Sequence, residues 1–233
     1  MKKFSIVIPV YNEKDTLAEC VRRVLAVELP LTKELILVND ASIDGSDKII
    51  NELCQEYSNI PIKAVSHPQN MGKGAAIRSG FAEVSGDIVI IQDADLEYDP
   101  NDYPRLLKPI LDGRADVVYG SRFSGSEEKR VLYYWHSFGN KILTTLSNIF
   151  TNLTLTDMET CYKVFRREVV DKLDIKSKRF GVEPEMTAKI ARARWRIYEV
   201  GISYSGRTYA EGKKITWKDG LAAIFTIIRF RFF

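Results

Sequence analysis

The stretch Gly86-Asp87-Ile88-Val89-Ile90-Ile91-Gln92-Asp93-Ala94-Asp95 decides the fold class. Ile88 to Ile91 is an unbroken apolar, β-branched run, the composition of a strand buried on both faces. Gln92 ends it, and Asp93 and Asp95 follow with one residue between them. Open α/β sheets bind ligands at the carboxyl ends of their strands, which is where the two carboxylates fall. Like charges held close repel unless a proton or a cation lies between them. A hard divalent cation bound through oxygen, and shared with a substrate diphosphate, suits the pair. An ordinary acidic turn would read the same in isolation, since Asp is frequent in turns.

Outward from this run, residues 4–8, 34–38, 62–65 and 116–119 read as further strands. Residues 15–27, 46–57, 72–84 and 101–111 read as the helices between them; the first carries Leu17, Val21, Val24 and Leu25 at helical spacing. Strands alternating with helices imply a largely parallel sheet. To about residue 120 this is the outline of a nucleotide-binding half. The rest is less regular. Trp135, Phe138, Ile142, Leu146 and Ile149 recur at helical spacing within 132–153. Residues 161–165 and 197–203 read as strands, 184–193 as a helix between them, and 215–233 as an apolar, aromatic and basic tail. The expectation is one continuous domain, residues 1–213, divided into halves at 120, with 214–233 as an amphipathic extension.

At 233 residues and 45% hydrophobic, the chain can bury a core. A net charge of +3 argues against nucleic acid as a partner. The charge is uneven: from residue 163 onward there are 17 Lys and Arg against 8 Asp and Glu. A basic C-terminal third suits a phosphate-bearing substrate or an anionic membrane, or is simply a solvated surface. Cys20, Cys54 and Cys161 are odd in number and lack metal-ligand spacing, which suits a reducing compartment. No window offers the roughly 20 apolar residues of a membrane span. A cytoplasmic protein, soluble or peripheral on the cytoplasmic membrane face, is expected.

Polar clusters stand at four successive strand ends: Pro9-Val10-Tyr11-Asn12-Glu13, Asn39-Asp40-Ala41-Ser42, Asn70-Met71-Gly72-Lys73-Gly74 and Asp93-Ala94-Asp95. In this order and spacing they resemble glycosyltransferase family 2, with its GT-A fold: a Rossmann-like, mostly parallel sheet flanked by helices. Gly120-Ser121-Arg122-Phe123, Asp157-Met158-Glu159-Thr160-Cys161-Tyr162-Lys163 and Glu199-Val200-Gly201-Ile202-Ser203-Tyr204 look like the branch holding the dolichyl-phosphate mannose and glucose synthases. The resemblance spans nearly the whole chain.

The resemblance implies an inverting hexosyltransferase, taking UDP-glucose or GDP-mannose as donor and a polyprenyl phosphate as acceptor, with Mg²⁺ or Mn²⁺. Pro9, Tyr11, Glu13, Asp40, Lys73, Asp93, Ala94 and Asp95 would hold the nucleotide sugar. Asp40 would accept from the base. Asp93 and Asp95, with Glu97 as a further ligand, would hold the metal. Arg122 and Arg207, beside Asp93 and Asp95, would act in catalysis, and with Lys178 and Lys213 would bind acceptor phosphate. The glycines of 70–74 would let backbone approach an anion at a helix N-terminus; a plain helix cap is the alternative. A lipid phosphate is already anionic and needs no base to activate it, whereas a sugar-hydroxyl acceptor would need a carboxylate, with Glu185 or Asp157 as candidates. His67 and His136 read as structural. The rings of 133–138 and of the tail suit a membrane interface, or core or homodimer packing. Transfer to a glycan hydroxyl, and non-catalytic nucleotide-sugar binding or membrane scaffolding, remain open.

Overall fold

The computed structural model describes residues 2–125, 128, 130–131, 133–179, 181–207 and 217–232. The first half runs β1 (Lys3–Val10), α1 (Leu17–Ala26), β2 (Thr32–Asn39), α2 (Ser46–Glu56), β3 (Ile62–Ser66), α3 (Lys73–Glu83), β4 (Ile88–Ile91), α4 (Tyr103–Leu111), β5 (Val117–Ser121). The second continues with α5 (Tyr134–Thr151), β6 (Lys163–Arg166), α6 (Arg167–Lys172), α7 (Val182–Arg192), β7 (Ile197–Gly201) and α8 (Trp217–Phe232). The expected elements are present, with boundaries shifted by a few residues. The short α6 is additional.

The strands form one sheet in the order β3-β2-β1-β4-β6-β5-β7. β1 pairs in parallel with β2 and β4, β2 with β3, and β5 with β7. β6 is the exception, running antiparallel to both β4 and β5. The chain reaches β6 from its sheet neighbour β5 through the connection that holds α5, and β6 enters the sheet between β4 and β5 in the opposite direction to both. The β4 run is buried throughout, as its composition requires, and pairs with Phe4 to Val7 of β1. On one face α3 lies close: a Cβ on Gly80 would meet Val7 Cγ1 at 2.3 Å, so only glycine permits this approach.

The topology creates the crevice. The chain steps outward from β1 to β2 to β3, and β4 then returns to the other side of β1. Such a reversal leaves a gap beyond the carboxyl ends of the two strands. Pairing of β1 with β4 ends at Val7 and Ile91. Pro9 therefore stands where the ladder on that side has stopped, a place that tolerates its missing N–H.

Candidate active site

The turn after β1 is built onto the turn after β2. Asn12 N donates to Ser42 Oγ (3.1 Å), Glu13 N donates to Ser46 Oγ (3.1 Å), and Ile43 N donates to Asn12 Oδ1 (2.9 Å). These bonds aim Glu13 into the crevice, with Tyr11 exposed beside it. From the end of β4, Asp93, Asp95 and Glu97 enter the same space. Asp95 Oδ1 accepts from Glu97 N at 3.2 Å, closing a tight turn, and Ala94 between the aspartates is buried.

Each carboxylate is met by a cation. Lys73 Nζ lies 3.0 Å from Asp93 Oδ1 and 3.3 Å from Glu183 Oε1. Burial opposes the Lys73 charge, but Asp93 and Glu183 hold its pKa well above the usual lysine value. Arg207 lies 3.0 Å from Asp95, 3.5 Å from Glu13 and 3.6 Å from Glu97, and its backbone N–H donates to Glu97 at 2.7 Å. Burial, then Asp93 and Glu97, push the Asp95 carboxyl up to about 7, against the pull of Arg207. The cluster therefore has room for more positive charge than it holds.

Tyr204 joins this cluster to Arg122. Its hydroxyl donates to Glu97 Oε2 at 2.7 Å, and the Arg122 guanidinium lies over its ring, 5.2 Å from the centroid. Arg122 forks onto Asp157, Nε to Oδ2 at 2.6 Å and Nη2 to Oδ1 at 2.7 Å, while Asn140 of α5 bonds the same carboxylate at 3.2 Å. Burial would raise the Asp157 pKa, but Arg122 brings it below the usual carboxylate range.

Glu13, Lys73, Asp93, Asp95, Glu97 and Arg207 thus meet in one cluster, with Arg122 one ring away. Asp40, the 70–74 loop and Lys178 are placed as follows. Asp40 is buried and its carboxylate is taken within the chain, accepting from Met71 N (2.8 Å) and Gly72 N (2.7 Å) and facing His67 Nδ1 at 2.7 Å. It pins the 70–74 loop. The glycines of that loop let the backbone of 177–178 approach. A Cβ on Gly72, at φ 91°, would fall 2.3 Å from Lys178 O, and one on Gly74 would fall 2.2 Å from Ser177 O. Ala75 N also donates to Lys178 O (3.2 Å), so backbone of 177–178 covers the start of α3. Lys178 contributes this carbonyl while the residue itself is exposed. Lys213, and the boundary at 213/214, lie outside the described residues.

Both carboxylates named as candidate bases are committed elsewhere. Asp157 serves Arg122. Glu185 is fully buried and accepts from Lys176 N (2.7 Å), Ser177 N (2.6 Å) and Lys189 Nζ (2.5 Å). Its neighbour Glu183 is the acid that reaches the cluster, with Oε2 buried and unbonded. Behind it Lys163 is fully buried, donating to the carbonyls of Met158 and Thr160. Burial and Glu183 push Glu159 up to about 8. Glu183 had a signal in the sequence: two acids at alternate positions opening a helix cannot share a face.

Among the described residues no group of three or more His, Cys, Asp and Glu is arranged to hold a metal ion by itself. Asp93 and Asp95 are hard oxygen donors on adjacent sides of one turn. They fit an Mg²⁺- or Mn²⁺-type ion that takes its remaining ligands from phosphate and water.

The fold and this crevice define an α/β domain with a carboxylate-lined crevice at the carboxyl ends of its parallel strands. Residues 5–174 match the profile "Glycosyl transferase family 2", and the chain belongs to that family. It is 31% identical over 215 residues to the undecaprenyl-phosphate 4-deoxy-4-formamido-L-arabinose transferase of Photorhabdus laumondii. It is 32% identical over 215 residues to the transferase of the same name from Salmonella enteritidis. Each alignment takes in 91% of this chain, which spans 63% of the length of these curated relatives. A solved structure of glucosyl-3-phosphoglycerate synthase from Mycobacterium tuberculosis, with Mn²⁺, UDP and glucosyl-3-phosphoglycerate, superposes with a TM-score of 0.74. It is 21% identical and covers 98% of this chain and 80% of its own. A second, with phosphoglyceric acid in place of the product, superposes at 0.75, with 21% identity, over 99% of this chain and 78% of its own. The fold is GT-A, as the strand-end pattern implies.

Proposed function

We propose that the chain is a glycosyltransferase that moves a sugar from a nucleotide sugar to a polyprenyl phosphate, with inversion at the anomeric carbon. The observation that carries this is the pair of arginines joined through Tyr204 and Glu97, Arg122 over the ring and Arg207 on the carboxylate that the ring's hydroxyl meets. Arg207 faces the Asp93–Asp95 cluster, where a donor diphosphate would lie, and Arg122 stands beyond the ring on the acceptor side. The undecaprenyl-phosphate transferases to which the chain is similar support the acceptor class, and the Mn²⁺–UDP complexes of the shared fold support the donor and metal.

In this reading an acceptor phosphate oxygen attacks C1 of the sugar as the bond from C1 to the nucleoside diphosphate breaks. An α-linked donor yields a β-linked lipid-phosphate sugar. Mg²⁺ or Mn²⁺ held by Asp93 and Asp95, with Glu97 near, would neutralise charge on the departing diphosphate. Arg207 and Arg122 orient the two phosphate groups, and no proton has to be removed from the acceptor. Glu13 and Tyr11 line the nucleotide side. The donor sugar is a hexose, from UDP-glucose or GDP-mannose.

The acceptor would be met at a membrane surface. No helix among the described residues is long and apolar enough to cross a membrane. α5 instead leaves Tyr134, Trp135, Phe138, Ile142 and Ile149 exposed, and α8, packed against it, leaves Phe225 and Ile228 exposed. Asn140, which touches the Arg122–Asp157 pair, lies on the same helix as these rings. Such rings suit the headgroup level of a bilayer, and the protein would sit peripherally on the cytoplasmic face.

A second reading, transfer to a sugar hydroxyl, finds its base in Glu183, whose Oε2 is unbonded. A transfer assay with radiolabelled UDP-glucose or GDP-mannose separates the two readings. The protein is mixed with Mn²⁺ or Mg²⁺, vesicles carrying polyprenyl phosphate and soluble sugar acceptors. Label entering the organic phase is expected. Label passing only to soluble sugars would move the assignment to the hydroxyl acceptor, and donor binding without transfer would make the chain a binding protein.

A further inference from the structure

Three carboxylates from two separate turns, Glu13 after β1 and Asp95 and Glu97 after β4, converge on one guanidinium. That guanidinium stands on Asp95 Oδ2 at 3.0 Å. It is seated imperfectly: Arg207 Nε is buried and makes no hydrogen bond. The other cation of the cluster is held differently. Lys73 rises from the first turn of α3 between Asp93 and Glu183 and is enclosed by both. Arg207 follows β7 and is attached to the cluster through Glu97, which accepts from its backbone N–H, from Tyr204 Oη and, by its carbonyl, from Ser205 N.

We propose that Arg207 is the built-in counter-ion of the Asp95–Glu97–Glu13 cluster and competes with a divalent cation for it, so that cation and nucleoside diphosphate bind as a coupled pair. A divalent ion and a guanidinium sharing one carboxylate oxygen repel in a partly buried site. Without an incoming anion, the arginine can leave its three carboxylates only for water. A diphosphate changes this by giving the guanidinium a bidentate partner while supplying oxygen ligands for the ion. Linkage then makes the effect reciprocal: the nucleotide strengthens metal binding by the factor with which the metal strengthens nucleotide binding. This rests on the donor assignment for its second half only, since competition between Arg207 and the ion needs no nucleotide.

The test is Mn²⁺ binding, read from the electron paramagnetic resonance of the free ion, with and without UDP or GDP. Wild type, Arg207→Gln and Arg207→Lys are compared, with urea unfolding confirming that each is folded. Arg207→Gln is expected to bind Mn²⁺ alone on the order of 10-fold more tightly than wild type, within the usual range of coupling between sites. Nucleotide should enhance Mn²⁺ binding less in Arg207→Gln than in wild type. Arg207→Lys keeps the charge and should stay near wild type. Unchanged or weaker Mn²⁺ binding by Arg207→Gln would overturn the proposal, as would equal tightening in Arg207→Lys, because charge would not then be the cause. If neither nucleotide strengthens Mn²⁺ binding to wild type, the coupling and the donor assignment fall, while tighter binding by Arg207→Gln alone would still uphold the counter-ion.

Discussion

Replacing Glu34 with Gln should flatten the acid limb of this protein's stability profile. Glu34 is buried on β2, and Ser5 Oγ (2.5 Å), Ser85 N (2.6 Å) and Gly86 N (3.0 Å) all donate to its Oε1. Its Oε2 accepts from Ser85 Oγ at 2.7 Å and lies 2.5 Å from Lys3 Nζ. Burial alone would raise its pKa, but these partners outweigh it and bring the group from 4.5 down to about 2. A carboxylate depressed in the folded state stabilises fully above its unfolded pKa. That stability is lost as pH falls from about 4.5 towards 2. At about 1.4 kcal/mol per pKa unit the shift corresponds to roughly 3 kcal/mol. The assay is urea unfolding of wild type and Glu34→Gln at intervals from pH 6.5 to 2.5. At neutral pH the variant should be less stable by an amount of that order, and the gap should close as pH falls. Other carboxylates titrate in both proteins, so the gap isolates Glu34. Two curves that stay parallel across this window would refute the assignment.

Three further outcomes follow from the same geometry. Asp157→Ala leaves the buried Arg122 guanidinium without its fork and should cost about 3–5 kcal/mol in urea unfolding, the usual cost of breaking a buried pair. Gly72→Ala places a methyl group 2.3 Å from Lys178 O at a positive φ. It should destabilise by roughly 1–3 kcal/mol, and hydrogen exchange should show looser protection at Ala75 as well as at Gly72. Asp95→Asn removes a charge that burial and its neighbours disfavour, so stability at pH 8 should hold or rise. Metal-dependent transfer should fall by more than the roughly 10–100-fold that loss of an outer-shell partner costs.

The outline of the fold was legible because local chemistry repeats at each strand. Ile88 to Ile91 can be little other than a buried strand, and an Asp following such a run falls in the crevice whatever the helices do. Asp95 and Glu97 were legible for that reason. The direction of β6 was not, since Val164 and Phe165 are apolar in either orientation. Asp40 was legible in place but not in its bonds: a strand-end aspartate looks the same whether its donors are a base or the N–H groups of Met71 and Gly72. The glycines at 72 and 74 announce a close approach without saying by what, and the answer, residues 177–178, lies about a hundred positions on. Glu183 and Glu185 stand two apart at the opening of α7, and which of them faces the cluster depends on how that helix is rotated against the sheet. That rotation is a property of packing, not of either residue.

The reversed strand has a consequence for how the chain is made. β4 and β5 are neighbours in sequence yet never touch as strands, because β6 is inserted between them. A chain emerging from the ribosome would have β1 to β4 ready to pair while β5 had no partner beside it. β5 acquires one neighbour when residues 163–166 appear and the other when 197–201 follow. Until then β4 presents an open edge of four apolar residues, with Asp93 and Asp95 just beyond it. The crevice is thus finished late and from both directions in sequence. A break near residue 120 would separate two fragments, each holding an unpaired edge whose missing strand lies in the other, so their recovery when mixed would be a direct measure of how strongly β6 stitches them together.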